Sequence, residues 1–213
     1  MSAKLHHEII YRGKEQIDKL ADASLIVCGA GALGSNLVAN LVRQGFRKIK
    51  VIDRDRVEER NLGTQVYSLD DVGGLKAEIL QNLIYRDVCE EIEAVAKELN
   101  EKNAASLLKD ADLVIDTFDN SVSRALVKTA AERSDLQCLH IGVNGDFGEI
   151  RWNESYIVPS DAGDDICDYP LARNLIMLVV AVAGEVLTRY FLSGRKESYS
   201  ITLADFGIHE IES

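Results

Sequence analysis

Leu25-Ile26-Val27-Cys28-Gly29-Ala30-Gly31-Ala32-Leu33-Gly34 is the stretch that decides the fold. A short apolar, partly β-branched run enters a GxGxxG, and from Leu33 to Gln44 the apolar positions recur at helical spacing. Strand, glycine turn and helix in that order form the context that lifts the motif above chance. The glycines allow a tight turn and a close approach of phosphate to the backbone, and the free N–H groups and dipole at the helix start attract negative charge. A turn that only packs helix on strand is the alternative.

Outward from this unit the same alternation repeats. Strands are expected at Leu25–Cys28, Ile49–Asp53, Ile92–Ala96, Leu113–Thr117 and Cys138–Val143, with helices near Leu33–Gln44, Leu75–Arg86, Asn103–Leu108 and Ser121–Arg133. This pattern predicts the α/β class: a Rossmann-like, mostly parallel sheet with helices on both faces. Beyond Val143, Glu149–Trp152 and Ser155–Val158 suggest a C-terminal antiparallel extension, followed by a long helix from about Leu171 and a strand near Tyr199–Leu203. The two prolines, Pro159 and Pro170, flank Ser160–Tyr169, the expected mobile loop. Residues 1–213 are expected to form one domain.

Composition narrows the function. Asp plus Glu outnumber Lys plus Arg by 35 to 24, a net charge of −11, which argues against nucleic acid as the main partner because phosphate neutralisation needs a basic face. No two of the four cysteines form a CxxC, so neither a disulfide framework nor a zinc site is expected, and a reduced cytoplasm is the simplest home. The apolar run Leu175–Gly184 is about half a membrane span and reads as a core helix, so no membrane association is expected.

Asp53 ends the second strand at the distance from the glycines where an acidic side chain can accept from ribose hydroxyls, although a solvated strand-end aspartate would look the same. These features leave NAD and ATP both open. Lys76 follows Gly73-Gly74 and opens a helix, where a cation opposes the dipole unless an anion is near; a triphosphate would supply one, and an ammonium turned to solvent is the alternative. Asp119, at the tip of the fourth strand in Thr117-Phe118-Asp119-Asn120-Ser121, is placed to hold Mg²⁺ against phosphates, and capping of the next helix would also explain the trio.

From about His6 to Phe206 the order of motifs resembles the ThiF/MoeB/ubiquitin-activating-enzyme superfamily. The resemblance rests on GAGALG, Asp53, the N-L-x-x-Q at Asn61, Leu62 and Gln65, the Lys76 helix, and the D-N-x-x-x-R at Asp119, Asn120 and Arg124. It implies ATP and Mg²⁺: phosphates over Gly29, Gly31, Ala32 and Gly34, ribose on Asp53 with Asp55 beside it, and the metal on Asp119 next to Asn120; the zinc-binding CxxC pairs of many members are absent, so no zinc is expected. It further implies Asn61, Gln65, Lys76 and Arg124 as the catalytic set. The activity implied is adenylation of a carboxylate, typically the C-terminal glycine of a small ubiquitin-like or sulfur-carrier protein, by a homodimer.

The sequence departs from the family at Thr64, where an arginine is usual, and Arg56, Arg60, Arg12 or a partner subunit are the candidate replacements. A nucleotide-binding subunit without catalysis is therefore the second reading; an NAD-dependent oxidoreductase and a tRNA-modifying dehydratase rank below it. Cys28 and Cys138 are expected to be core residues. Cys167, in the acidic loop with Asp161, Asp164, Asp165 and Asp168, is the candidate covalent acceptor, although those carboxylates would suppress its thiolate.

Overall fold

The computed structural model describes residues 3–159 and 170–212. The loop Ser160–Tyr169, and Cys167 with it, lies outside the described residues.

Two short helices, α1 (His6–Arg12) and α2 (Lys14–Asp22), precede β1 (Ser24–Cys28). The chain continues through α3 (Ala32–Gln44), β2 (Lys48–Ile52), α4 (Lys76–Val88), β3 (Glu93–Val95), α5 (Ala104–Leu107), β4 (Leu113–Asp116) and α6 (Ser121–Arg133). It ends with β5 (Cys138–Asn144), β6 (Phe147–Trp152), α7 (Arg173–Ser193), β7 (Ser198–Thr202) and β8 (Ile208–Ile211). The sheet order is β3-β2-β1-β4-β5-β6-β7-β8. Strands β1 to β5 run parallel, and β6, β7 and β8 add antiparallel.

Alternation along the strands sends side chains into two cores, as a sheet covered on both faces requires. Leu25, Val27, Val51, Leu113, Ile115, Leu139 and Ile141 face one cluster, which α2, α3, α4 and α7 cover. Ile26, Cys28, Ile52, Val114 and Cys138 face the other, covered by α5 and α6. The expected Rossmann-like sheet with an antiparallel extension is thus present.

Helix α7 has mean hydropathy 1.9 over an 18-residue window and is long and apolar enough to cross a bilayer by those measures. Here Leu175, Ile176, Val179, Val180, Ala183, Val186 and Leu187 are buried. They join the cluster that contains α3, so α7 is a core helix of this fold. Burial of each large apolar side chain is worth about 1.5–3 kcal/mol, well above the contribution of the N-terminal side-chain cap that α7 lacks.

The extension differs in detail from expectation. Ser155–Val158 is not a strand, because Tyr156 turns inward, stacks on His140 at 3.8 Å and accepts a hydrogen bond from Arg124 Nη1 at 3.0 Å. Strand β8 pairs with β7 instead. Its residues are exposed or only half-buried, so no hydrophobic alternation marked it in the sequence.

Candidate functional site

The strand order reverses between β1 and β4, the point where open α/β sheets bind ligands beyond the carboxyl ends of their strands. The glycine turn leaves β1 there. Gly29 has φ +104°, and a Cβ on it would lie 2.8 Å from Thr117 Oγ1 just past β4. A Cβ on Gly34 would stand 2.0 Å from the Gly29 carbonyl oxygen, so only glycine lets α3 lie this close to the turn. Gly31 is the reverse case: a Cβ there would meet nothing within 4 Å. No side chain caps the start of α3 at Gly31, so the first N–H groups of α3 and the positive end of its dipole face that open space. This arrangement fits phosphate.

Asp53 follows β2 and is only 6% exposed, so it is not a solvated strand end. Its Oδ2 accepts from Ala30 N at 2.6 Å and its Oδ1 from Asp55 N at 2.7 Å. Burial raises its pKa above the ordinary carboxylate value, opposed by the Ala30 amide, Lys76 and the Asp55 amide. Each oxygen keeps a lone pair for another donor. Lys76 opens α4 and is buried rather than turned to solvent, and its Nζ lies 3.7 Å from Asp55 Oδ2. Asp55 is exposed, so part of the anion that Lys76 needs against the α4 dipole comes from the chain itself.

The segment from Asn61 to Tyr67 is stitched onto the glycine turn. Asn36 Nδ2, on α3, donates to the carbonyls of Ala32 at 2.7 Å and Thr64 at 2.9 Å. The Tyr67 hydroxyl reaches the carbonyls of Ala30 at 2.8 Å and Lys76 at 3.2 Å. Asn61 is half-buried, and its Oδ1 accepts from Glu58 N in a capping box. Gln65 is buried, and its Oε1 has no hydrogen-bond partner among the described residues. Ser35 Oγ, in the first turn of α3, is in the same state, as are Gln44 Oε1 and Ser198 Oγ elsewhere; a buried oxygen beside the glycine turn without a partner has capacity for a donor from a ligand.

Asp119 is exposed beyond β4, and Asn120 caps α6 by accepting from Ser123 N at 2.8 Å. No cluster of three or more metal-ligating side chains occurs among the described residues. One carboxylate beside phosphates nonetheless fits Mg²⁺, which takes few protein ligands.

Arg124 belongs to a buried cluster at the ends of β4 and β5. It is buried, its Nη2 donates to the Ile141 carbonyl at 2.9 Å, and its Nη1 lies 3.7 Å from Asp116 Oδ2. Burial alone would lower its pKa; Asp116 and Tyr156 outweigh that and raise it. Asp116 accepts from Phe118 N at 3.1 Å and lies 2.8 Å from His140 Nδ1, while His140 Nε2 lies 2.7 Å from Asn153 Oδ1. This buried network supports the turn that carries Asp119, and of its members only Arg124 was marked by a motif. Cys28 and Cys138 are buried beside it, and burial, then Asp116, pushes both thiols well above their ordinary pKa.

The three cations considered as replacements at Thr64 are engaged elsewhere. Arg56 Nη1 donates to the Gly73 carbonyl at 2.6 Å, Arg60 pairs with Glu58 at 2.7 Å, and Arg12 bridges Glu8 at 2.8 Å and Glu185 at 2.7 Å.

A sulfur carrier protein adenylyltransferase of Thermus thermophilus is 39% identical over 121 residues, covering 56% of this chain and 45% of that protein. A sulfur carrier protein ThiS adenylyltransferase of Bacillus subtilis is 33% identical over 136 residues, covering 61% of this chain and 40% of that protein. The chain spans less than half the length of these relatives. In fold it is similar to E. coli MccB solved with ATP, with TM-score 0.82 at 17% identity over 100% of this chain and 72% of that one. Residues 3–158, from before α1 to beyond β6, match the ThiF family, and the chain belongs to it.

Proposed function

We propose that this chain binds ATP with Mg²⁺ and adenylates the C-terminal carboxylate of a small sulfur-carrier or ubiquitin-like protein, acting as a homodimer built from single-domain chains. The observation that carries the proposal is the convergence on Ala30–Gly34 of an uncapped helix start, a buried carboxylate with spare acceptor capacity, a buried lysine and an orphan glutamine oxygen.

In this mechanism the N–H groups at the start of α3 cradle phosphate and Asp53 accepts from the ribose hydroxyls. Lys76, with the amide groups of Asn61 and Gln65, lines the polyphosphate. Asp119, beside Asn120, holds Mg²⁺, which when bound neutralises charge on the phosphate oxygens. The acceptor carboxylate attacks the α-phosphorus, forming a new P–O bond as the bond to pyrophosphate breaks and the electron pair leaves with pyrophosphate. The nucleophile is already ionised, so alignment and charge stabilisation suffice without a general base. Arg124 acts at one remove, holding Tyr156 and β5 in place.

The test is ATP–pyrophosphate exchange with a carrier protein ending in Gly-Gly. Exchange is expected for the wild type, with a loss of about a hundredfold or more in Asp119→Ala. Thr64 favours one other reading, a nucleotide-binding subunit without catalysis. Tight ATP binding with no exchange across a panel of such carriers would select it.

A further inference from the structure

The segment entering α7 is fixed in place. Leu171 bridges to Gly145 in the β5–β6 turn, and Leu171 and Ala172 pack against the larger core cluster. Arg173 is the first residue of α7, and the Nη1 of its guanidinium lies 3.4 Å from the Gly63 carbonyl oxygen, next to Thr64. That loop is tied to the glycine turn through Asn36, and two residues on it carries the buried orphan Oε1 of Gln65.

Arg173 is exposed, and its placement is mildly unfavourable for a cation left alone. Arg173 sits at the positive end of the α7 dipole, no side chain caps that end, and the first turn of α7 holds no acidic residue. The described residues give the guanidinium a carbonyl and no carboxylate as partner. A planar fork of donors in such a position is suited to bidentate recognition of phosphate.

We propose that Arg173 is a further binding residue of the nucleotide site, delivered from α7 onto the β- and γ-phosphates of ATP beside Gly63 and Thr64. The proposal rests on the ATP-binding reading above and deepens it by assigning the polyphosphate a cation that no motif contains. Arg173 would stabilise the pyrophosphate as it departs, and it would distinguish ATP from AMP.

Calorimetric titration of the full chain with Mg²⁺-ATP and, separately, with AMP tests this. Arg173→Ala is expected to weaken ATP by roughly ten- to a hundredfold while AMP stays within about twofold. Arg173→Lys should retain part of the ATP affinity, and Thr64→Arg should restore much of it in the Arg173→Ala background. Arg195→Ala, an exposed site after α7, serves as the control. Unchanged ATP affinity in Arg173→Ala, or equal loss of ATP and AMP, overturns the proposal; if that variant does not fold, the ATP-to-AMP ratio of Arg173→Lys decides in the same way. A wild type that binds ATP through Arg173 but performs no exchange overturns the adenylation reading alone. A wild type that binds no nucleotide overturns both. A defect confined to the KM for the carrier would reassign Arg173 to the acceptor carboxylate and also overturn it.

Discussion

Asp53 and Asp116 stand at the carboxyl ends of the two strands that flank β1, both almost out of contact with solvent, and they are held in opposite ways. The hydrogen bonds that Asp53 accepts come from two backbone amides, which orient the carboxylate and leave lone pairs unused. Asp116 is enclosed by the Phe118 amide, His140 and, at longer range, Arg124, with Tyr156 stacked over the imidazole. A carboxylate that serves a ligand keeps room for it. A carboxylate that serves the fold is saturated by its own chain, and removing it strands the groups that bind it.

The largest effect should come from breaking the saturated member. Asp116→Ala leaves the buried Arg124 without its anion and His140 Nδ1 without its hydrogen-bond partner, and is expected to cost about 3–5 kcal/mol of stability, read from urea unfolding. A loss below about 1 kcal/mol would mean the network is not a structural element. Asp53→Ala should instead act on the ligand, weakening Mg²⁺-ATP by roughly ten- to a hundredfold in calorimetry. If its main effect were on unfolding, with nucleotide affinity unchanged, the contrast between the two carboxylates would fail.

A smaller effect follows from titration of Asp53. Its folded pKa is raised from the ordinary value of 3.8, so between that value and the folded one the native chain holds the extra proton. That contribution is complete below the unfolded value and is lost as pH rises through the folded value. Asp53→Asn does not titrate, so the stability of the wild type minus that of the variant should fall as pH increases across this window. A difference that stays flat or grows in pH-resolved urea melts would contradict the shift. The smallest change is expected for Tyr67→Phe, which loses the hydroxyl contacts to Ala30 and Lys76 and should cost about 1 kcal/mol.

Asp53 was legible in the sequence as a candidate ribose acceptor and Asp116 was not, for a physical reason. The Asp53 site is built from a short strand–turn–helix unit whose backbone does the holding, so spacing alone announces it. Asp116, His140, Asn153, Arg124 and Tyr156 come from four separate segments; only Arg124 lies in a motif, D-N-x-x-x-R, which gives no hint of its partners, and Tyr156 even masqueraded as part of a strand. Lys76 was found through its conflict with the helix dipole, but its pairing with Asp55 required the fold of the intervening loop. The approach of Arg173 to Gly63 joins distant parts of the chain and leaves no periodic trace. Helices α1 and α2 were missed because they are short and largely exposed, with only Ile17 and Leu20 of the pair buried.

Helix α7 packs on α3, which forms near the beginning of the chain, and the same apolar cluster runs from Leu5 to Ile201. A nascent polypeptide therefore displays the oily flank of its glycine-turn helix until residues 173–193 have been synthesised, and the parallel strands beneath wait for the same later arrival.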